Sequence, residues 1–264
     1  MRPDGWVART GRASRAPGGY GPRVPDAALA AQLLVLAEAP GRDTTRLDPP
    51  CTPEQAAAIA EAAVADTLDA VRATPVARRV VALDGEPGDL DLSGCAVLPQ
   101  TGGDTGTRLA AAFADAMDGA ALPTLLIGTG TPQVTPALLA ACLDRLVTTS
   151  RQTAVLGAAP DGRWWALGLH AALEAGVLPD VPTARTDTAE RTRRALEDAG
   201  LTVLDLPELT DVGSFPDALA AAAACDPGTR TARVVAAVAD AVPGDGAPGQ
   251  PRGTVTAPSA RSLA

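Results

Sequence analysis

Five residues in the middle of the chain, Gly128-Thr129-Gly130-Thr131-Pro132, have the composition of a phosphate-binding turn. They follow an apolar run and precede a helix-like segment, the arrangement in which helix N-terminal amides face an anion. The dinucleotide fingerprint also needs a glycine at position 133, which is Gln133, so the match is incomplete. No P-loop occurs, and every basic side chain is arginine; the chain has no lysine. Ser-His-Asp chemistry would depend on His170, the only histidine, and no serine sits in a GxSxG turn. Alone beside a strand-like segment, His170 reads as structural. Cys51, Cys95, Cys142 and Cys225 are far apart with no CxxC pair, which leaves a zinc site without clustered ligands. They read as buried free thiols in a reducing compartment.

The elements that must position these residues alternate between strand-like and helix-like. Leu33 to Ala37 is an apolar strand, followed by a loop at Pro40-Gly41. Thr52-Pro53-Glu54-Gln55 starts a helix that runs to about Ala73, with a Thr cap, Pro in the first turn and Gln three residues on. Val80 to Leu83 and Ala96 to Leu98 are strands. Gly102-Gly103-Asp104 leads into a helix stopped by Gly119. Thr124 to Ile127 is a strand, and Thr135-Pro136 begins the next helix. Ala154 to Leu156 and Trp164 to Leu167 are strands around the turn Pro160-Asp161-Gly162. Asp187 with Glu190 caps a helix ended by Gly200, Val203 to Leu206 is the last strand, and Ser214 with Asp217 caps a final Ala-rich helix. This order predicts a mostly parallel sheet covered on both faces. Ligands on such sheets bind outside the carboxyl ends of the strands, so function belongs to the loops after Ala37, Ile127 and Leu156.

Composition narrows the partners. The 264 residues carry a formal net charge of -9, with 46% apolar, 20% charged and 2% aromatic residues. An acidic surface repels nucleic acid and anionic membranes, so neither is an expected partner. No apolar stretch reaches the length of about 18 residues needed to span a bilayer. The Arg-bearing start and the run ending Ala37-Glu38-Ala39 loosely mimic a secretion signal. The long positive region, Asp26 abutting the run and the strand-like end Leu33-Leu34-Val35-Leu36 argue against one, and the expected location is the cytoplasm. Residues 1–28 and 242–264, rich in Pro, Gly, Ala, Arg and Ser without periodicity, read as disordered tails around one domain at 29–241.

Taken in order, the segments resemble the DUF2064 family of bacterial proteins, similar to glycosyltransferases of the nucleotide-diphospho-sugar transferase (GT-A) kind and to molybdenum-cofactor guanylyltransferases. The resemblance runs from about Leu33 to Cys225. It rests on Pro40-Gly41 to Arg46-Leu47 with Pro49-Pro50 and Thr52-Pro53-Glu54-Gln55; on Asp66-Thr67-Leu68; and on Gly103-Asp104-Thr105-Gly106-Thr107-Arg108-Leu109. It continues with Gly128 to Pro132, with Asp161-Gly162-Arg163-Trp164-Trp165 and with Asp211-Val212-Gly213-Ser214. It implies a single three-layer α/β/α domain with a mostly parallel sheet. It also implies a nucleotide or nucleotide-sugar ligand, and Mg²⁺ or Mn²⁺ under the phosphates.

The departures from the pattern bear on chemistry. The resemblance implies aspartates at positions 130 and 213, where this chain has Gly130 and Gly213. It implies lysines at Glu38 and Thr44, and a glycine at Arg163. Glycine supplies no ligand to a cation that would neutralise a diphosphate. Charge-assisted bonds contribute about 1.5–3 kcal/mol each, so losing several weakens nucleotide binding considerably. Arg163 replaces part of the lost positive charge.

Among the residues retained, Arg46 and Arg108 read equally as phosphate contacts or as salt-bridged loop residues. Asp161 reads as a catalytic base, as a metal ligand or as an ordinary Asp-Gly turn. Asp104 and Asp211 are the other candidate metal ligands. Gly103, Asp104, Gly128, Gly130 and Arg163 belong to the expected nucleotide site. Of Trp164 and Trp165, which alternate on a strand, one belongs to the core and the other, Trp164, to the cleft as a stacking surface. Two functions follow: transfer of a glycosyl or nucleotidyl group from a nucleotide donor, or a catalytically degenerate relative that binds or scaffolds.

Overall fold

The computed structural model describes residues 28–39 and 47–241. The expected tails, and Arg46 with the rest of the 40–46 loop, lie outside these residues. The elements are β1 (Leu29–Glu38), α1 (Pro53–Ala73), β2 (Val76–Asp84), β3 (Ala96–Pro99), α2 (Thr105–Asp118), β4 (Thr124–Ile127) and α3 (Pro136–Val147). They continue with β5 (Thr153–Ala158), β6 (Trp164–Leu169), a 3-10 helix (Ala172–Asp180), α4 (Thr188–Asp198), β7 (Thr202–Asp205), α5 (Phe215–Ala224) and α6 (Arg230–Ala241).

One seven-stranded sheet has the order β3-β2-β1-β4-β6-β5-β7. β6 is antiparallel to both its neighbours, and the other strands all run one way. β1 sits in the middle, and its continuous apolar run is what a strand buried on both faces requires. Its side chains divide by parity. Leu33, Val35 and Ala37 pack with Leu68, Val71, Leu139 and Leu143 of α1 and α3. Leu34 faces the opposite layer, with Leu109 and Phe113 of α2, Leu178 of the 3-10 helix and Leu196 of α4. A third cluster, Ile59, Val212, Phe215, Ala218 and Val235, joins α1, α5 and α6. The domain is therefore three-layered α/β/α, as the alternation of segments predicts.

Most caps form as the sequence implies. Gln55 N donates to Thr52 Oγ1 at 3.3 Å while Thr52 N donates to Gln55 Oε1 at 2.8 Å, a complete capping box. Thr135 caps α3, and Ser214 caps α5. Asp187 differs from expectation. It precedes α4 but makes no side-chain cap bond. Its carboxylate instead accepts from Arg185 Nε at 2.9 Å and Arg191 Nε at 2.7 Å, charge-assisted partners that outcompete a neutral amide. The Ala-rich helix after Ser214 is not the last one. It stops at Cys225, and α6 follows, capped from another helix: Asp66 of α1 accepts from Thr231 N at 2.7 Å, Thr231 Oγ1 at 2.8 Å and Arg230 N at 3.2 Å.

Candidate functional site

The carboxyl ends of β1 and β4 and the turn between β5 and β6 meet at one edge of the sheet. A cleft of about 170 Å³ opens there. Its walls are Leu36, Leu126, Leu109 and Trp164, and its polar lining includes Thr131, Thr188, Arg163 and Asp211. Trp164 is half-buried and gives its Nε1–H to Thr192 Oγ1 at 3.1 Å. Trp165 is 3% exposed and packs in the core, with Nε1 donating to Pro207 O at 2.9 Å. Thr131 is 1% exposed and its Oγ1 has no hydrogen-bond partner. A buried hydroxyl without a partner bears a desolvation cost unless something binds it.

The charged end of the cleft comes from two segments distant in sequence. Gly162, at φ +83°, lets the β5–β6 turn close; Gly162 N donates to Ala159 O at 3.0 Å and Ala159 N to Arg163 O at 2.8 Å. The turn sets Asp161 beside Arg163. Asp161 Oδ1 accepts from Arg163 N at 3.0 Å, and Oδ2 accepts from Arg163 Nε at 2.5 Å. Arg163 Nη2 then reaches Asp211 Oδ2 at 3.0 Å. Asp211 is held by its own segment, where Val212 N donates to Gly130 O at 2.7 Å and Gln133 Nε2 donates to Thr210 O at 2.7 Å.

Burial pushes the Asp211 carboxyl up from its ordinary value, and Asp161 and Asp217 push the same way against Arg163. Burial also lowers the Arg163 guanidinium, but its bond to Asp161 and the charges of Asp211, Asp161 and Asp217 outweigh that and raise it overall. Arg163 therefore stays charged, and the carboxyl groups around it, Asp161, Asp211 and Asp217, outnumber it.

The glycines explain how the segments fit. A Cβ on Gly130 would lie 2.0 Å from Asp211 Oδ1, and one on Gly213 would lie 2.9 Å from Arg163 Nη2. The space at Gly128 is open, and this residue lines the cleft. The glycine turn does not open a helix: α3 begins at Pro136, and the Thr135 side chain occupies the amide of Leu138. Thr67 Oγ1 donates to Thr129 O at 3.3 Å, tying the turn to α1.

The other expected site residues stand apart. Asp104 caps α2, with Oδ1 accepting from Thr107 N at 2.8 Å and Oδ2 from Thr107 Oγ1 at 2.8 Å, and these bonds hold its pKa below the ordinary value. Arg108 pairs with Asp84 at 3.3 Å. Gly103 has open space where a Cβ would stand. From this motif it is Thr105 and Leu109 that line the cleft, one turn apart on α2. His170 is half-buried, burial lowers its pKa, and its Nε2 has no partner; it lies at the far end of β6. The thiols are free, and burial raises Cys142 to about 12.

Sequence reasoning missed Thr131, Thr188 and the reach of Arg163 to Asp211. Position 211 was weighed only as a metal ligand, and nothing local to either residue signals a pair spanning that distance in sequence.

A family model described as "Uncharacterized protein conserved in bacteria (DUF2064)" matches residues 67–185. The match spans less than half of the chain. It contains α2, β4, α3, the β5–β6 hairpin and Arg163, whereas Asp211 follows it. Among solved structures, the "putative nucleotide-diphospho-sugar transferase from Desulfovibrio desulfuricans G20" superposes with a TM-score of 0.70 at 21% identity, over 81% of this chain and 96% of that one. That likeness assigns the fold. The homologue of Rv0371c from Mycobacterium sp. strain JC1 matches at TM-score 0.48 and 18% identity, over 80% of this chain and 98% of that one. Rv0371c of Mycobacterium tuberculosis H37Rv in complex with manganese matches at 0.47 and 20%, over 73% of this chain and 98% of that one. No curated protein matches the chain. No described helix is long and apolar enough to cross a membrane.

Proposed function

We propose that this chain is a small-molecule-binding member of the nucleotide-diphospho-sugar transferase fold, and that its cleft takes the glycosyl part of a nucleotide sugar. The observation that carries the reading is the lining at the strand ends: an orphaned Thr131 hydroxyl, the half-buried Trp164 and an acid–arginine–acid set around one cavity. Carboxylates are acceptors only, and suit sugar hydroxyls. A Trp ring suits the apolar face of a pyranose. The excess of carboxyl groups over the one guanidinium at this end disfavours placing a diphosphate there, so the phosphates point away from Asp161 and Asp211.

In this reading the residues bind and orient. Arg163 donates to a ring or bridging oxygen, Thr131 gains its missing partner, and Trp164 excludes water from one face. The second reading, transfer of the glycosyl or nucleotidyl group, is favoured by Asp161, whose side chain is 38% exposed next to the cleft-lining Arg163 and is the carboxylate that could serve as a base.

The test is a thermal-shift panel of nucleoside triphosphates and nucleotide sugars on the full chain, repeated with Trp164→Ala. A ligand at about 100 times its dissociation constant stabilises by about 2.7 kcal/mol, which is readily seen. We expect at least one nucleotide sugar to raise the melting temperature, and Trp164→Ala to abolish the shift. A panel with no stabilising member, or a shift unaffected by Trp164→Ala, overturns the assignment. Hydrolysis or transfer from the stabilising sugar, abolished by Asp161→Asn with binding retained, would select the second reading.

A further inference from the structure

The resemblance implies a divalent cation at this end of the cleft, and the described residues do not fit one. Gly130 and Gly213 offer no donor atom, and no group of three or more His, Cys, Asp or Glu side chains able to hold a metal occurs among the described residues. Yet four positions converge on one small volume. The Cβ direction of Gly130 points at Asp211 Oδ1, 2.0 Å away. That of Gly213 points at Arg163 Nη2, 2.9 Å away, with Asp217 Oδ2 at 3.7 Å. Asp161 and Asp211 both bind the Arg163 guanidinium, Asp161 Oδ2 at 2.5 Å from Nε and Asp211 Oδ2 at 3.0 Å from Nη2.

We propose that Arg163 is the built-in cation of this cleft: its guanidinium, clamped by Asp161 and Asp211, fills the volume a divalent ion would need and excludes it. Three observations support this. The glycines leave room for the arrangement, because a side chain at 130 or 213 would have to displace the ends of Asp211 or Arg163 from where they lie. The arginine is well suited to the task, since its Nε and Nη2 engage the two carboxylates side by side and it keeps its proton at any ordinary pH. Thr131 adds an oxygen donor to the same cleft: it is 1% exposed with an unpartnered hydroxyl, so the lining is already equipped for a bound group.

The consequence is that metal affinity is masked rather than lost. As placed, Asp161, Asp211 and Asp217 do not form a metal-holding group; with the guanidinium that all three face removed, they are unopposed and free to turn toward a cation. Repulsion among carboxylates is relieved by a hard cation with oxygen ligands.

Free Mn²⁺ can be counted by electron paramagnetic resonance in titrations of the full chain, without nucleotide, for the parent, Arg163→Gly, Arg163→Gln and Arg163→Lys. The parent and Arg163→Lys should bind no Mn²⁺ at sub-millimolar concentration. The Gly and Gln variants should bind at least about tenfold more tightly, a difference of 1.4 kcal/mol. Adding Asp211→Asn to Arg163→Gln should abolish the gain. The Gln variant keeps part of the side-chain packing while vacating the guanidinium position and guards against misfolding, which near-ultraviolet circular dichroism monitors. Micromolar Mn²⁺ binding by the parent overturns the proposal whatever the variants do. So does a folded Gln variant no tighter than the parent, or a gain that survives Asp211→Asn. No arm uses a sugar or nucleotide, so failure here and failure of the nucleotide-sugar assignment are separately visible.

Discussion

Two segments at the same end of the sheet carry an aspartate and an arginine a few residues apart, and they put them to opposite uses. At the start of α2, Asp104 turns back onto its own helix as the cap, and Arg108, within the helix, pairs with Asp84 at the end of β2. In the β5–β6 turn, Asp161 and Arg163 join each other, and the arginine reaches across the cleft to Asp211. The first pair keeps the residues the family resemblance implies and is occupied with local structure. The second is altered and holds the charges of the site. Agreement with a motif is therefore a poor guide to where the chemistry lies in this chain, because an aspartate before a helix has a structural task whether or not a ligand is near.

The comparison breaks most severely at Gly162. Its φ is +83°, and a Cβ there would lie 1.7 Å from the Thr186 carbonyl oxygen. That oxygen is backbone and cannot step aside like the end of a side chain. Gly162→Ala is expected to destabilise by about 2 kcal/mol or more in urea unfolding, through the left-handed conformation and the collision together. It should also release Arg163 from Asp211, since the turn aims the arginine. A loss below about 0.5 kcal/mol, the ordinary range for surface changes, would mean the turn has another conformation at little cost.

The two arginines come next. Arg163→Ala leaves Asp211 half-buried without its cation, and is expected to cost about 1–2 kcal/mol, held down by screening because the Arg163 side chain is about a third exposed. Arg108→Ala breaks a longer contact to Asp84 and removes an Nε that has no partner, so its cost should fall below about 1 kcal/mol. If Arg108→Ala proves the more damaging of the two, the pair at the start of α2 is the stronger electrostatic element and the contrast between the two segments is wrong.

How far the sequence could be read follows the same division between local and long-range causes. Thr52 with Gln55, Thr135 with Pro136 and Ser214 all act within one helical turn, so their caps could be read directly. β1 could be read as a strand from its apolar run, but not which residues face which layer, because a central strand is apolar on both faces. The 3-10 helix at Ala172–Asp180 was missed, its Gly176 and Pro179 making it look like loop, and α6 was missed because its cap, Asp66, comes from the other end of the domain. The site was legible only as parts. Asp161-Gly162 announces a turn, and Gly130 and Gly213 announce missing carboxylates, but the collision of their Cβ positions with Asp211 and Arg163 exists only after folding. Asp187 failed as a cap because Arg185 and Arg191 flank it, a competition whose outcome depends on side-chain reach.

The finest test of the contrast is in pH dependence, and it is the smallest effect. Asp104 is held below its ordinary value of about 3.9 by the Thr107 bonds. Its contribution to stability is present above that value and lost as the pH falls through its lower folded value. Asp211 is raised, by burial first and then by Asp161 and Asp217. Its contribution is present below about 3.9 and lost as the pH rises through its higher folded value, because charging a buried carboxylate costs more in the folded chain than in the unfolded one. Asparagine removes the titration at either site while keeping its size. The stability difference between the parent and Asp104→Asn should therefore grow in the parent's favour as the pH rises toward 4, and the difference from Asp211→Asn should shift against the parent as the pH rises above 4. Urea unfolding at closely spaced pH values gives both difference curves, and opposite slopes are the expected result. Slopes of the same sign would mean that Arg163 compensates the burial of Asp211 fully, so that the guanidinium holds that carboxylate as firmly as the Thr107 bonds hold the cap.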